Sequence, residues 1–265
     1  MKKKDANIKA KSTSSKKTVT APEPKKPAGK KTVTAPEPKK PAGKKAAGKK
    51  KSGNNLVEVV FILDRSGSMG GLEADTIGGF NSTLEKQKKE KGEVLWSTVL
   101  FDNEHEVIHN RVPIERVEEL TENEYYVRGC TALLDAIGRA VNHIGNVHKY
   151  AREEDVPEKT LFVITTDGME NASREYTYRS VKQMISRQQE KYGWEFLFLG
   201  ANMDAVSEAG RLGIRAERAA SFLNDKAGIA GNYETITEAM TQYRSTGVIK
   251  ETIMSKVKED YAKRK

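Results

Sequence analysis

Cysteine occurs once in this chain, at Cys130. No disulfide can therefore close within it, which fits a reducing compartment. Long apolar runs are also missing. Nothing approaches the roughly 18 consecutive apolar residues that a bilayer-spanning helix needs. No apolar h-region follows the opening Met1-Lys2-Lys3-Lys4, as a secretory signal would require. These absences lead to the expectation of a cytoplasmic protein without a transmembrane segment. Residues 1–55 hold no arginine and no aromatic residue, the first aromatic being Phe61. The segment therefore lacks the groups that read base edges or stack on bases.

What that segment does hold is lysine. Its 18 Lys face only Asp5, Glu23 and Glu37, a net +15, and the other 210 residues carry 28 basic and 34 acidic side chains, a net −6. The basic pI thus describes a tail and not a folded surface. Lys16–Gly29 recurs perfectly as Lys30–Gly43, a period with nothing to bury. Proline and like-charge repulsion predict an extended, disordered tail with a polyproline II bias. Its texture is similar in composition to the tails of linker histones and histone-like bacterial proteins. Non-specific binding of nucleic acid or another polyanion, such as an anionic membrane surface or polyphosphate, is favoured over an inert spacer. A nucleoid-associated location would follow from the first of these.

After Asn55 the pattern changes. Apolar β-branched runs alternate with helical stretches, predicting strands over 56–63, 94–101, 106–112, 160–165, 194–199 and 219–222. Helices are predicted over 71–91, 132–150, 177–191, 203–212 and 227–243, and from about 251. The runs at 59–63, 161–164 and 196–199 are continuously apolar, as strands covered on both faces must be. The 106–112 run alternates weakly and ends at Pro113, as an edge strand does. The expected fold class is α/β: a Rossmann-like, doubly wound, mostly parallel sheet with one antiparallel edge strand and helices on both faces. One domain is expected over 56–265, with a core over about 56–223 and C-terminal helices over 226–262.

Three segments carry chemistry. Asp64-Arg65-Ser66-Gly67-Ser68-Met69 follows directly on the first strand, and Thr165-Thr166-Asp167-Gly168 closes another. Arg128-Gly129-Cys130-Thr131 places a hydroxyl just ahead of a helix. In a parallel sheet these points share the carboxyl edge, where ligand sites form. Two carboxylates and three hydroxyls are hard oxygen donors, suited to Mg²⁺, Mn²⁺ or Ca²⁺ rather than zinc. For Asp64 alone, capping of the following helix competes evenly with metal binding. The set Asp64-x-Ser66-x-Ser68, Thr131 and Asp167 resembles the metal-ion-dependent adhesion site of the von Willebrand factor type A family, in its intracellular bacterial type. The resemblance implies that Ser66 and Ser68 bind the metal directly. It implies that Thr131, Asp64 and Asp167 bind directly or through water. It further implies Mg²⁺ or Mn²⁺ ahead of Ca²⁺, and a protein partner whose Asp or Glu completes the coordination.

Enzymatic readings compete with this one. Ser66-Gly67-Ser68-Met69-Gly70 lies close to a nucleophile-elbow pattern, but that order needs a histidine after the acid. The four histidines, His105, His109, His143 and His148, all precede Asp167. A phosphoryl-transfer enzyme with Asp64 as nucleophile lacks a carboxylate at position 66 but stays open. So does a chiefly nucleic-acid-binding protein acting through its tail. Glu170, Asn171 and Asn202 are candidate partner-binding residues, with helix capping or a solvated loop as the plainer role for the first two. Asp204 is expected to cap a helix, and Trp194, Phe196 and Phe198 to pack in the core. His105 and His109, both on one predicted strand, are read as surface histidines.

Overall fold

The computed structural model describes residues 55–265. Expectations for the lysine-rich tail therefore lie outside the described residues, Asn55 excepted. Six strands form one sheet: β1 (Val57–Asp64), β2 (Val94–Phe101), β3 (His105–Pro113), β4 (Lys159–Thr166), β5 (Glu195–Ala201) and β6 (Ala219–Phe222). Their order is β3-β2-β1-β4-β5-β6. All neighbours run parallel except β3, which pairs antiparallel with β2 at the edge. Each strand begins and ends within two residues of its sequence-based expectation.

The helices are α1 (Glu73–Lys88), α2 (Leu133–Tyr150), α3 (Tyr178–Tyr192), α4 (Ala205–Leu212), α5 (Lys226–Thr246) and α6 (Ser255–Arg264). Alternation along β1 sorts them into two layers. Val57, Val59, Phe61 and Leu63 face α1, α5 and α6, while Val60 and Ile62 face α2, α3 and α4. On the first face Phe61 stacks on Trp96 at 4.9 Å, with the Phe80 ring edge-on to both. On the second, Phe162 stacks between Trp194 and Phe196, so the aromatic run that begins just ahead of β5 and continues in it is core, as expected. Among the described residues no helix is long and apolar enough to cross a membrane.

The helix ends have specific causes. α1 starts later than its pattern because Gly71 adopts φ +87°, a left-handed conformation that a helix cannot continue through. Its last turn is held by buried Arg244 of α5, which donates to the carbonyls of Gln87, Glu90, Lys91 and Gly92. Carbonyls at and past a helix end run out of intrahelical partners, and a guanidinium is suited to satisfying them, here sharing the Gln87 carbonyl with the Glu90 amide at 3.3 Å. Asp204 caps α4 by accepting from the Ser207 amide at 3.0 Å.

One expectation fails. His109 is not a surface residue: it is buried, with Nδ1 3.0 Å from Thr98 Oγ1, and burial pushes its pKa down. Irregularities in the β2–β3 register interrupt the twofold alternation between Val107 and His109. His105 lines a cavity with α2 residues, while His109 bonds to Thr98, the hydroxyl that Trp96 also reaches from the α1 side.

Candidate metal centre at the carboxyl edge

The strand order places a topological switch at β1, whose neighbours β2 and β4 are reached by connections on opposite faces. Crevices at such points hold ligands in open α/β sheets. Asp64 is the last residue of β1, and Thr166 closes β4 immediately before Asp167. Past Asp64 the chain makes a short 3-10 turn, Gly67–Met69. That turn is fastened to the Thr131 loop by Gly67 N donating to Gly129 O at 3.2 Å and Arg128 N donating to Arg65 O at 2.9 Å.

The five sequence-predicted oxygens come together. Ser68 Oγ donates to Asp167 Oδ1 at 2.5 Å, Ser66 Oγ lies 3.2 Å from Ser68 Oγ, and Thr131 Oγ1 donates to Ser66 Oγ at 3.1 Å. Asp64 Oδ1 accepts from the Ser66 amide at 2.7 Å. Neither Asp64 nor Ser66 caps a helix through its side chain, so the plainer role weighed for these residues does not hold. Ser68 is exposed, whereas Asp64, Ser66 and Thr131 are buried.

The electrostatics favour a cation. Asp64 is 1% exposed; burial pushes its carboxyl up to about 6, with nearby Asp167 adding to the rise and hydrogen bonds from Ser66 and Thr166 opposing it. Burial also raises Asp167 above the ordinary range. Asp64 is buried and Asp167 half-buried, and none of the site's five oxygen donors belongs to a cationic side chain. The donor set is all oxygen, of mixed charge, and confined to one crevice, which fits a hard divalent ion. Among the described residues, no three His, Cys, Asp or Glu side chains gather as a metal cluster, here or elsewhere; this site combines two carboxylates with three hydroxyls.

Gly168 sharpens the fit. A Cβ built there would stand 2.6 Å from Thr131 Oγ1 and 3.4 Å from Ser68 Oγ. The backbone can approach the hydroxyls only because the side chain is absent. Gly168→Ala is expected to weaken divalent-cation affinity by about 10- to 100-fold, the range seen when groups supporting metal ligands are disturbed. Isothermal titration reads this, with the far-UV circular dichroism spectrum unchanged. Unaltered affinity would show that the close approach is incidental.

The lower-ranked candidates take supporting positions. Asn171 Oδ1 accepts from Thr131 N at 2.9 Å, and the Asn171 amide donates to Thr131 O, so Asn171 fixes the Thr131 backbone. Glu170 accepts from the amides of Leu134, Ala172 and Ser173 and from the Ser173 hydroxyl. It ties the turn after β4 to the first turn of the preceding helix, α2, instead of capping the following one. Asn202, at φ +51°, accepts from Asn224 N at 3.2 Å. Asn224 in turn donates to Asp167 Oδ2 at 3.0 Å. Cys130 is exposed beside Thr131.

Sequence reasoning missed Asn224 and Thr166, whose hydroxyl donates to Asp64 Oδ2 at 2.5 Å. Both carried a signal, since each lies at or just past a strand's carboxyl end. It also missed Arg65. Inside the motif, Arg65 is wholly buried, pairing with Asp102 at 2.9 Å and with Glu106 at 2.8 Å.

No family model matches this sequence, and no curated protein sequence matches it significantly. Among solved structures the chain is similar to proximal thread matrix protein 1 from the mussel byssus (12% identity, 70% of this chain and 46% of that one, TM-score 0.49). That protein has also been solved with a zinc-occupied metal-ion-dependent adhesion site. It is similar as well to a von Willebrand factor type A protein from Catenulispora acidiphila (15% identity, 70% and 42%, TM-score 0.46). A third similar structure is manganese-loaded TRAP protein of Plasmodium vivax (13% identity, 67% and 72%, TM-score 0.46). The chain spans less than half the length of the first two.

Proposed function

We propose that this chain is a non-enzymatic, metal-dependent protein-binding module of the von Willebrand factor type A kind. A divalent ion, Mg²⁺ or Mn²⁺, is held by Asp64, Ser66, Ser68, Thr131 and Asp167, and an Asp or Glu of a protein partner completes its coordination. The observation that carries this reading is the single hydrogen-bonded chain from Asp167 through Ser68 and Ser66 to Thr131 at the switch point, beside the buried Asp64. Neutral hydroxyls leave the ion electrophilic, and the exposed Ser68 side leaves it open to an outside oxygen. The lysine-rich tail tethers the cytoplasmic module to nucleic acid or another polyanion through charge alone.

The test is capture of partner proteins from cell extract by the immobilised full-length chain. Capture is expected in Mg²⁺, with loss in EDTA and in Asp167→Ala, and with retention when residues 1–53 are removed. Capture that survives both EDTA and Asp167→Ala overturns the reading. Loss on removing 1–53 alone would place the activity in the tail instead. Hydrolysis of a phosphate ester that Asp64→Asn abolishes would make the protein an enzyme.

A further inference from the structure

The amino-terminal edge of the sheet, opposite the metal centre, carries a second built site. Glu58 lies six residues before Asp64 on β1, about 20 Å away by strand rise. Apart from Asp64 at the far end, it is the only charged side chain of β1, and it is completely buried. A buried charge must be paired, and Glu58 has two partners: Arg111 Nε at 2.7 Å and His148 Nε2 at 2.5 Å. The His148 ring is also held edge-on by Trp194, centroids 5.3 Å apart. Because an ionised carboxylate only accepts, Nε2 carries the proton toward Glu58. Nδ1 makes no hydrogen bond among the described residues.

His148 lines a cavity of about 600 Å³ between the C-terminal halves of α2 and α3, a size typical of small-molecule sites. Trp194 closes its floor, and the half-exposed Tyr192 ring stands at its mouth. Lys149 and Arg187 supply positive charge, Gln188 and two asparagines supply amide donors and acceptors, and no carboxylate lines it. The Tyr192 phenol is held below its ordinary value by Lys191 and, after burial's small opposing effect, by Arg187, which registers the positive field at the mouth. An aromatic wall, amides able to read a ring edge, and cations with an oriented imidazole together match a flat heteroaromatic group carrying a phosphate.

We propose that this cavity binds a nucleoside monophosphate, with the base against Tyr192 and Trp194, the phosphate taken by Arg187 and Lys149, and His148 Nδ1 accepting from a ribose hydroxyl. It is a site separate from the metal centre.

The experiment titrates the full-length chain with AMP, following Trp194 fluorescence, since Trp96 is sealed in the core on the opposite face. Adenosine and inorganic phosphate form separate arms, and GMP, CMP and UMP extend the class. Saturable quenching by AMP is expected, with adenosine and phosphate each at least about tenfold weaker, the loss of one charge-assisted contact set or of the stacking surface. Arg187→Gln, an exposed change that the fold tolerates, is expected to weaken AMP by about tenfold, and His148→Gln to do likewise. Both variants should retain the wild-type response to Mg²⁺. No saturation by any of the four nucleotides overturns the proposal, and so does phosphate binding as tightly as AMP. AMP affinity unchanged in Arg187→Gln also overturns it, because binding would then belong to the lysine-rich tail.

Discussion

Asp64→Asn is expected to raise the melting temperature of the metal-free protein and to abolish its response to Mg²⁺. The folded-state carboxyl is pushed up to about 6 by burial from its ordinary value of 3.8. The metal-free folded state thus binds the proton more tightly than the unfolded chain. The contribution of Asp64 to stability is greatest below about pH 4, falls as pH rises through the folded value near 6, and stays lower above it. Two pH units at 1.36 kcal/mol each place that cost at about 3 kcal/mol at neutral pH. In a domain of this size, 1 kcal/mol shifts the midpoint by about 2–4 °C, so removing the charge should add about 6–12 °C.

Asparagine fits the pocket. Its oxygen can accept from the Ser66 amide as Asp64 Oδ1 does, and its amide can donate to Thr166 Oγ1, which is free to turn its own proton to the Gly168 carbonyl 3.1 Å away. Wild-type protein should gain stability in Mg²⁺ above pH 6, where the ion replaces the missing proton. Differential scanning calorimetry between pH 5 and 8, with and without Mg²⁺, measures both effects. A metal-free Asp64→Asn protein less stable than wild type, or one still stabilised by Mg²⁺, would sink the assignment of Asp64 to the ion.

Arg65→Met is expected to destabilise the fold by about 3–5 kcal/mol, because it takes the fully buried partner from Asp102 and leaves that carboxylate only the partly exposed Arg128. Arg65 and Asp102 are both 0% exposed. Burial works to raise the Asp102 carboxyl, yet Arg128, the Glu104 amide and Arg65 together hold it below the ordinary range. Arg65 also donates to the Glu124 carbonyl and lies over the Tyr126 ring. Methionine would fill the stem's volume but satisfy none of these groups. Arg128→Met, whose side chain is 40% exposed, should cost much less, since water can replace a partly exposed partner. Urea unfolding of the two variants compares them directly. A cost for Arg65→Met below about 1 kcal/mol would mean that the pair contributes nothing net.

Much of the fold was legible because both of its periodicities are simple. Strands covered on two faces must be apolar throughout, so 59–63, 161–164 and 196–199 could be read without ambiguity. The long α2 and α5 patterns announced themselves for the same reason. Boundaries were less legible where one residue's backbone decides. Gly71 stops α1 from beginning at its first helical-looking residue, and the bulge in β3 turns His109 inward against its alternation. Such irregularities are set by neighbouring strands and leave little trace in local composition.

The sequence by itself determined that two carboxylates and three hydroxyls would meet at one edge, since Asp64, Thr131 and Asp167 each follow or precede an element in fixed order. Only the tertiary structure decided what surrounds them. Thr166 and Asn224 orient the carboxylates, Asn171 holds Thr131, and Arg65 lies buried against Asp102 within the motif itself. Those partners are 37 to 102 residues apart in the chain. A hydrogen bond needs an approach within a few tenths of an ångström, which residue order does not specify and packing does. Burial is likewise a property of the assembled layers. It is the main cause of the raised Asp64 carboxyl and makes a strand-end carboxylate into a site that a divalent ion would stabilise.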